Sequence, residues 1–252
     1  MVKNIYNEKF YSYQSEPSYR SAQKVVPILI ELINPQSVID VGCGIGTWLK
    51  VFNENSIEDV LGIDGNDINP QKLLISEKKF RNIDLCSNGF QVIRKFDLCI
   101  CLEVLEHIPE RYSNNVINFL TTVSPVVYFS AAVPGQGGAN HINEQWQEYW
   151  CRKFSERGYI TIDAIRPCIW EIANVEPWYS QNSFLFIHKY KIEKYNKMRN
   201  INNNSPKIPY NIIHPVLFQR FVDLEYVSTR KLFKKIIERI QKKINLISFL
   251  GK

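Results

Sequence analysis

Apolar positions along the chain follow two rhythms. Between Ser21 and Ile33, Val25, Val26, Ile28, Leu29, Leu32 and Ile33 fall at helical spacing, and Asn34-Pro35 ends the pattern. Shorter apolar runs follow at Val38 to Val41, Asp59 to Asp64, Phe80 to Leu85, Phe96 to Leu102 and Pro125 to Val133, and each predicts a strand. Phe96 to Leu102 is nearly continuous, as expected of a central parallel strand buried on both faces. Trp48 to Phe52 and Gln147 to Arg157 predict intervening helices, the second ending at Gly158. Tyr159 to Ile165 and Ser183 to His188 read as two closing strands.

The ends differ from this middle. Asn7 to Tyr19 is polar and aromatic, and Pro17 is expected to break any helix there. Lys189 to Tyr210 is Asn-rich and carries Pro206 and Pro209, which predicts a linker or loop. From Ser228 to Leu250, Phe233, Ile236, Ile237, Ile240, Ile244 and Ile247 form a helical stripe flanked by lysines and arginines. A basic amphipathic helix of this kind suits an anionic membrane surface, a partner or its own domain.

Length allows one α/β domain plus an appendage, with expected boundaries at 1–36 for a leader or lid, 37–188 for the core and 189–252 for the basic tail. No apolar run is long enough to span a bilayer, and the first residues lack the apolar stretch of a secretion signal. None of the six cysteines forms a Cys-x-x-Cys pair, so reduced buried thiols and a cytoplasmic protein are expected. The net charge of +6 is unevenly spread. From Lys189 onward 15 Lys and Arg face 4 Asp and Glu, whereas the preceding residues carry 16 against 21. Basicity therefore describes the tail, and a nucleic-acid substrate is not expected of the core.

The chemistry gathers at Asp40-Val-Gly42-Cys-Gly44-Ile-Gly46-Thr47, a strand breaking into three alternate glycines before a helix. Glycines permit a sharp turn and bring a ligand against main chain. The dinucleotide loop G-x-G-x-x-G would need glycine where Thr47 stands. Asp64 ends the second strand at about the ~20-residue distance that suits a ribose-binding carboxylate. The stretch Asp-x-Gly-x-Gly-x-Gly resembles motif I of class I S-adenosylmethionine-dependent methyltransferases. That resemblance implies a Rossmann-like seven-stranded, mostly parallel sheet with an antiparallel closing strand. It implies donor contacts from Asp40, Gly42, Gly44, Gly46, Asp64, Asp84, Leu85 and Glu103, with Asp84 and the Leu85 backbone at the adenine. Glu103-Val-Leu-Glu106-His107 resembles the segment after the fourth strand of many small-molecule methyltransferases.

After the fifth strand comes Pro134-Gly-Gln-Gly-Gly-Ala-Asn-His141-Ile-Asn143-Glu144-Gln-Trp146, more polar than a connector requires. It resembles a loop in bacterial methyltransferases associated with cell-surface polysaccharide synthesis. The likeness runs from Tyr11 to Ile187, including Arg166-Pro and Trp178-Tyr-Ser-Gln-Asn182, and implies O-methylation of a sugar or glycan. His141 is the first candidate base, followed by Glu144 and His107, because imidazole titrates in the useful range. Asn143, Trp146, Trp178 and Tyr179 are expected at the acceptor, with Trp170 more suited to the core. No residue is assigned to a metal. A quinone-ring methyltransferase fits Glu-Val-Leu-Glu-His as well, and a basic helix suits such a membrane-borne acceptor. A nicotinamide oxidoreductase is disfavoured by the glycine spacing, and a non-catalytic module that keeps the fold stays open.

Overall fold

The computed structural model describes residues 8–66, 68–87, 92, 94–195, 197, 198, 200, 210–222, 233 and 237, with side chains from residue 16 onward. Two compact units, Met1–Ile212 and Ile213–Lys252, are treated separately.

In the first unit the chain runs α1 (Glu8–Ile33), β1 (Ser37–Val41), α2 (Thr47–Glu54), β2 (Asp59–Asp64), β3 (Phe80–Asn82), β4 (Leu98–Leu102), α3 (Ser113–Val123), β5 (Val126–Ser130), α4 (Gln147–Ser155), β6 (Tyr159–Ile162), α5 (Arg166–Ile169), α6 (Pro177–Asn182) and β7 (Phe184–His188), with short 3-10 turns between. The seven strands order as β3-β2-β1-β4-β5-β7-β6. β7 is antiparallel to both β5 and β6, and the other pairings are parallel. This is the expected mixed sheet, and β7 is its reversed strand.

Side-chain alternation along the strands builds two cores. Val38, Leu98, Ile100, Val126, Tyr128, Leu185 and Ile187 join α1 and α2 on one face. Ile39, Val41, Cys99, Cys101, Val127, Phe129, Phe184 and Phe186 join α3 and α4 on the other. Helices therefore cover both sides, which is why these strands read as unbroken apolar runs instead of alternating ones. The sheet reverses at β1, where the chain passes from the β2–β3 side to the β4–β5 side. Such a switch point is where open α/β sheets bind ligands, beyond the carboxyl ends of the strands.

Two expectations are corrected. Pro17 does not end the leader: α1 is helical from Glu8, with Pro17 and Pro27 both inside it. A proline removes one ladder bond and bends a helix, and packing decides whether the helix stops. Here Val25, Val26 and Leu29 are fully buried. Ser21 Oγ also donates to the Pro17 carbonyl at 2.8 Å and accepts from the Glu176 N–H at 3.0 Å, tying the helix to the loop before α6. The segment after β7 is more than a linker at its start. Lys189–Lys194 forms a 3-10 helix, and Ile192, Tyr195 and Met198, three residues apart, are buried in the first core.

In the second unit residues 215–222 are helical, and Val216, Phe218 and Phe221 are exposed. The basic helix expected from Ser228 to Leu250 lies outside the described residues except Phe233 and Ile237, both helical and exposed. Among the described residues no helix is long and apolar enough to cross a membrane.

Candidate active site

A cavity of about 830 Å³ opens over the carboxyl ends of β1, β2 and β4. Its donor wall begins where β1 stops. Gly42, Gly44 and Gly46 have φ of 82°, 52° and 86°, a left-handed region that other residues enter at a cost. A Cβ on Gly42 would lie 2.3 Å from Val104 Cγ2, so bare main chain is required there on two counts. The loop's N–H groups are spent inside the protein. Gly42 and Cys43 donate to the Ile63 carbonyl, Gly46 to the Cys43 carbonyl, and Gly44 to Asp64 Oδ2 at 2.8 Å. A loop whose amides are so engaged is a poor pyrophosphate cradle, in contrast to loops that aim these donors at phosphate.

Asp64 is buried at the end of β2, and its other oxygen accepts from the N–H and side-chain amide of Asn66. With the Gly65 N–H also acting on it, the carboxylate is held by donors from the turn after β2, which fixes its place at the cavity. Burial raises the Asp64 carboxyl above the usual range, and burial with the Asp64 charge raises Asp40 well above it. A cationic ligand between them would relieve both. Asp40, Gly42, Gly44, Asp64, Asp84, Leu85 and Glu103 all line the cavity. Gly46 does not. It caps α2 and packs against Ile75.

A second wall, where the acceptor is expected, is assembled from the loops that follow β4 and β5. Glu103, at the end of β4, has a φ of 55° and turns its carboxylate to the side-chain amides of Gln136 at 3.0 Å and Asn182 at 3.1 Å. Three residues on, the Glu106 carbonyl accepts from the N–H groups of Ile142 and Asn143, at 2.9 and 3.0 Å. These bonds bring His141 to His107, with ring centroids 4.9 Å apart and nearly perpendicular planes. His141 Nδ1 meets Glu144 Oε1 at 2.8 Å, and the Glu144 carboxylate also accepts from the N–H groups of Gly135 and Gly137. An acceptor held by two backbone amides fixes the imidazole so that Nδ1 carries the proton and Nε2 the lone pair. Gly138 keeps that edge clear, since a Cβ there would stand 2.2 Å from His141 Nε2. Burial, with His141 beside it, pulls the His107 imidazole down to about 4.

Glu106 is fully buried, and neither of its carboxylate oxygens has a partner at hydrogen-bonding geometry. The N–H groups of Glu106 and Ala132 and the carboxyl of Glu103 approach it closely enough to hold it weakly. Burial first, then the Glu103 charge, hold its carboxyl well above the usual range.

Among the expected residues, His107, His141, Trp178 and Tyr179 line the cavity, while Glu144 stands behind His141. Asn143 and Trp146 lie outside the lining. Asn143 is buried and donates to the Leu105 carbonyl and to Ser113 Oγ, bracing the loop. Trp146 is exposed and precedes the first turn of α4. Trp178 and Tyr179 sit on a helix where a loop was expected, because Pro177 occupies a position at which proline starts helices. Tyr179 is buried edge-on to Trp48 at 5.2 Å. Gln136 and Asn182 were given no role by the sequence, and Glu106 was noted only within the segment after the fourth strand. The three-residue spacing of Glu103 and Glu106, and a glutamine between the loop glycines, were the available cues.

Residues 13–171, well over half of the chain, match the model of the methyltransferase domain family. The chain belongs to that family and is a methyltransferase with S-adenosylmethionine as its donor, which accords with its motif I glycine loop. No curated protein matches it in sequence. Among solved structures it is similar to the sugar N-methyltransferase KedS8 from Streptoalloteichus (14% identity, 75% of this chain and 94% of that one, TM-score 0.55). It is also similar to the plantazolicin methyltransferase BpumL in complex with a pentazolic desmethylPZN analog and SAH (12% identity, 71% of this chain and 88% of that one, TM-score 0.52). Against Streptomyces venezuelae DesVI the chain spans 58% of that protein's length (16% identity, 52% of this chain, TM-score 0.43).

Proposed function

We propose that the enzyme transfers the methyl group to a hydroxyl oxygen of a sugar or glycan, as an O-methyltransferase of surface-polysaccharide synthesis. The observation that carries this reading is the His141–Glu144 pair, anchored by the Gly135 and Gly137 amides and turned into the cavity that holds the donor residues. S-adenosylmethionine supplies a methyl on a sulfonium, already a good electrophile. The chain's residues must then align the acceptor and take its proton. In transfer the oxygen lone pair forms the new bond to carbon as the carbon–sulfur pair stays on sulfur, and the hydroxyl proton leaves to His141 Nε2. Glu144 orients that imidazole, and Glu103, braced by Gln136 and Asn182, closes the donor side of the acceptor space. Trp178, half-buried at the rim, offers an aromatic face to the C–H face of a sugar ring. KedS8, named for a sugar substrate, has the same fold.

A second reading, a phenolic hydroxyl on a quinone-type ring, draws on the apolar Ile108, Pro109 and Ile142 along the same wall. We place the enzyme in the cytoplasm, with loose contact at the inner membrane face through its basic tail. The surplus of positive charge after Lys189 motivates that placement. Sedimentation of full-length protein with anionic vesicles at low salt tests it, and no sedimentation rejects it. The central experiment offers labelled donor with free hexoses, nucleotide sugars, lipid-linked glycans and catechols. Label in an O-methyl sugar supports the first reading, label in catechol the second, and label only on an amine removes both.

A further inference from the structure

Glu106, His107 and His141 each place one metal-ligating atom within 4.8 Å of those of the other two, in the lining of the same cavity. Two observations beyond proximity point to a ligand. The Glu106 carboxylate is wholly buried, and among the described residues neither oxygen has a partner at good hydrogen-bonding geometry, with only the Glu103 carboxyl and the Glu106 and Ala132 N–H groups approaching it. Buried carboxylates are normally satisfied by donors, a proton or a cation. The two imidazoles are also arranged as metal-ligating histidines are. His141 Nδ1 faces Glu144 at 2.8 Å, and His107 Nδ1 faces the Asn140 carbonyl at 3.4 Å. In the tautomers these acceptors favour, the lone pairs fall on the Nε2 atoms. A carboxylate or carbonyl behind each ring is the usual outer support of a metal-bound histidine. The segments carrying the three groups are pinned together, since the Glu106 carbonyl accepts the N–H groups of Ile142 and Asn143.

We propose that Glu106, His107 and His141 bind one divalent transition-metal cation, of the zinc, manganese, iron or cobalt class, beside the acceptor. Two imidazoles and one carboxylate select such ions over magnesium and calcium, which favour all-oxygen sites. Three protein ligands leave coordination positions for the acceptor. A hydroxyl bound there ionises more readily, so its proton passes to water and the imidazole lone pairs are given to the cation instead. This last role rests on the hydroxyl-acceptor reading, whereas cation binding does not.

The test uses the full-length chain after treatment with a chelator and desalting. Calorimetry with zinc, manganese and magnesium chlorides is expected to show one tight site for the first two and none of comparable strength for magnesium. The chain has four histidines. In nitrogen-15 imidazole spectra, zinc should shift His107 and His141 and leave His188 and His214 in place. Glu106→Gln and His141→Ala should each abolish the site, with the melting shift induced by S-adenosylhomocysteine retained as evidence of an intact donor half. Glu144→Gln should weaken it by about 10–100-fold as an outer support. If the wild-type chain binds none of these ions at one equivalent, or zinc leaves the His107 and His141 resonances unmoved, the site is overturned, whether or not the variants fold. Cation binding with undiminished methyl transfer to a hydroxyl after chelation would overturn its role in the reaction and leave the acceptor reading standing. Cation binding with no hydroxyl acceptor methylated would do the reverse.

Discussion

On one side of the cavity, three glycines within five residues turn the chain, with the Gly42 and Gly44 N–H groups closed on Ile63 and Asp64 of β2 and that of Gly46 on the Cys43 carbonyl. On the side where the acceptor is expected, His107 and His141 meet only because the loops that follow β4 and β5 are tied through the Glu106 carbonyl. The first wall is a local product of backbone conformation, so a single side chain in the wrong place destroys it. The second is distributed over side-chain bonds between distant segments and should fail by degrees.

The largest expected effect breaks the donor wall. Gly42→Val puts a β-branched residue at a φ of 82°, with its Cβ 2.3 Å from Val104. Loss of the whole melting shift given by S-adenosylhomocysteine is expected, and Asp64→Ala should reproduce it by removing the Gly44 contact and the carboxylate proposed for the ribose. A wild-type shift in either variant would show that the loop tolerates what its geometry forbids. Next comes His141→Ala. A group acting on the acceptor contributes about 10²–10⁴-fold to kcat, while donor affinity should stay within about twofold. Unchanged kcat with the true acceptor would remove His141 from the reaction.

Those two variants also mark what the sequence could reveal. Asp40, the glycines and Asp64 were legible because their geometry is dictated within one strand-loop-helix unit, and a spacing records it. The pairing of His141 with Glu144 was half legible, being three residues apart in one polar loop. Asn143 and Trp146 were expected at the acceptor, yet Asn143 braces Leu105 and Ser113 and Trp146 faces outward. A polar loop reads alike whether a given side chain faces the cavity or holds the loop in place. Glu106 was noted only as part of its segment, because its burial arises only once the sheet and both loops enclose it. Pro17 misled for a similar reason, since the packing that keeps α1 intact comes from α2 and the segment before α6, far along the chain.

Arg166 sharpens the comparison from beneath the acceptor wall. Its guanidinium pairs with Asp163 at 2.9 and 2.6 Å, lies 3.9 Å over the Phe184 ring, and donates to the carbonyls of Gln181 and Tyr210. The side chain is 2% exposed and Asp163 18%, so solvent screens little of the loss. Arg166→Met keeps the volume but takes this donor from the Asp163 carboxylate and the Tyr210 carbonyl, while the Gln181 carbonyl keeps Gln147 Nε2. A cost of about 3 kcal/mol is expected, at the low end for a broken buried pair. For a chain of this size that lowers Tm by about 6–12 °C. The S-adenosylhomocysteine shift should survive, since no donor residue touches Arg166. An unchanged Tm would show that the pair carries no net stability.

The smallest effect separates two neighbours on α6. Trp178 is half-buried and lines the cavity, whereas Tyr179 is 5% exposed, stands edge-on to Trp48, and reaches Ser18 Oγ through its hydroxyl at 3.3 Å. Burial pushes that phenol up to about 12, so it stays neutral at working pH and holds the leader helix against α6. Trp178 packs on the first core and beside Tyr179 but also lines the cavity, and an aromatic face against a sugar or ring acceptor is worth about 1 kcal/mol. Trp178→Ala should therefore raise the acceptor KM about five- to tenfold with kcat nearly constant, the mark of uniform binding. Tyr179→Phe should instead leave KM alone and cost stability of about 1 kcal/mol through the lost hydroxyl contact. If Trp178→Ala lowers Tm and not acceptor affinity, then α6 is scaffold throughout, and the acceptor is held by Ile108, Ile142 and the histidines alone.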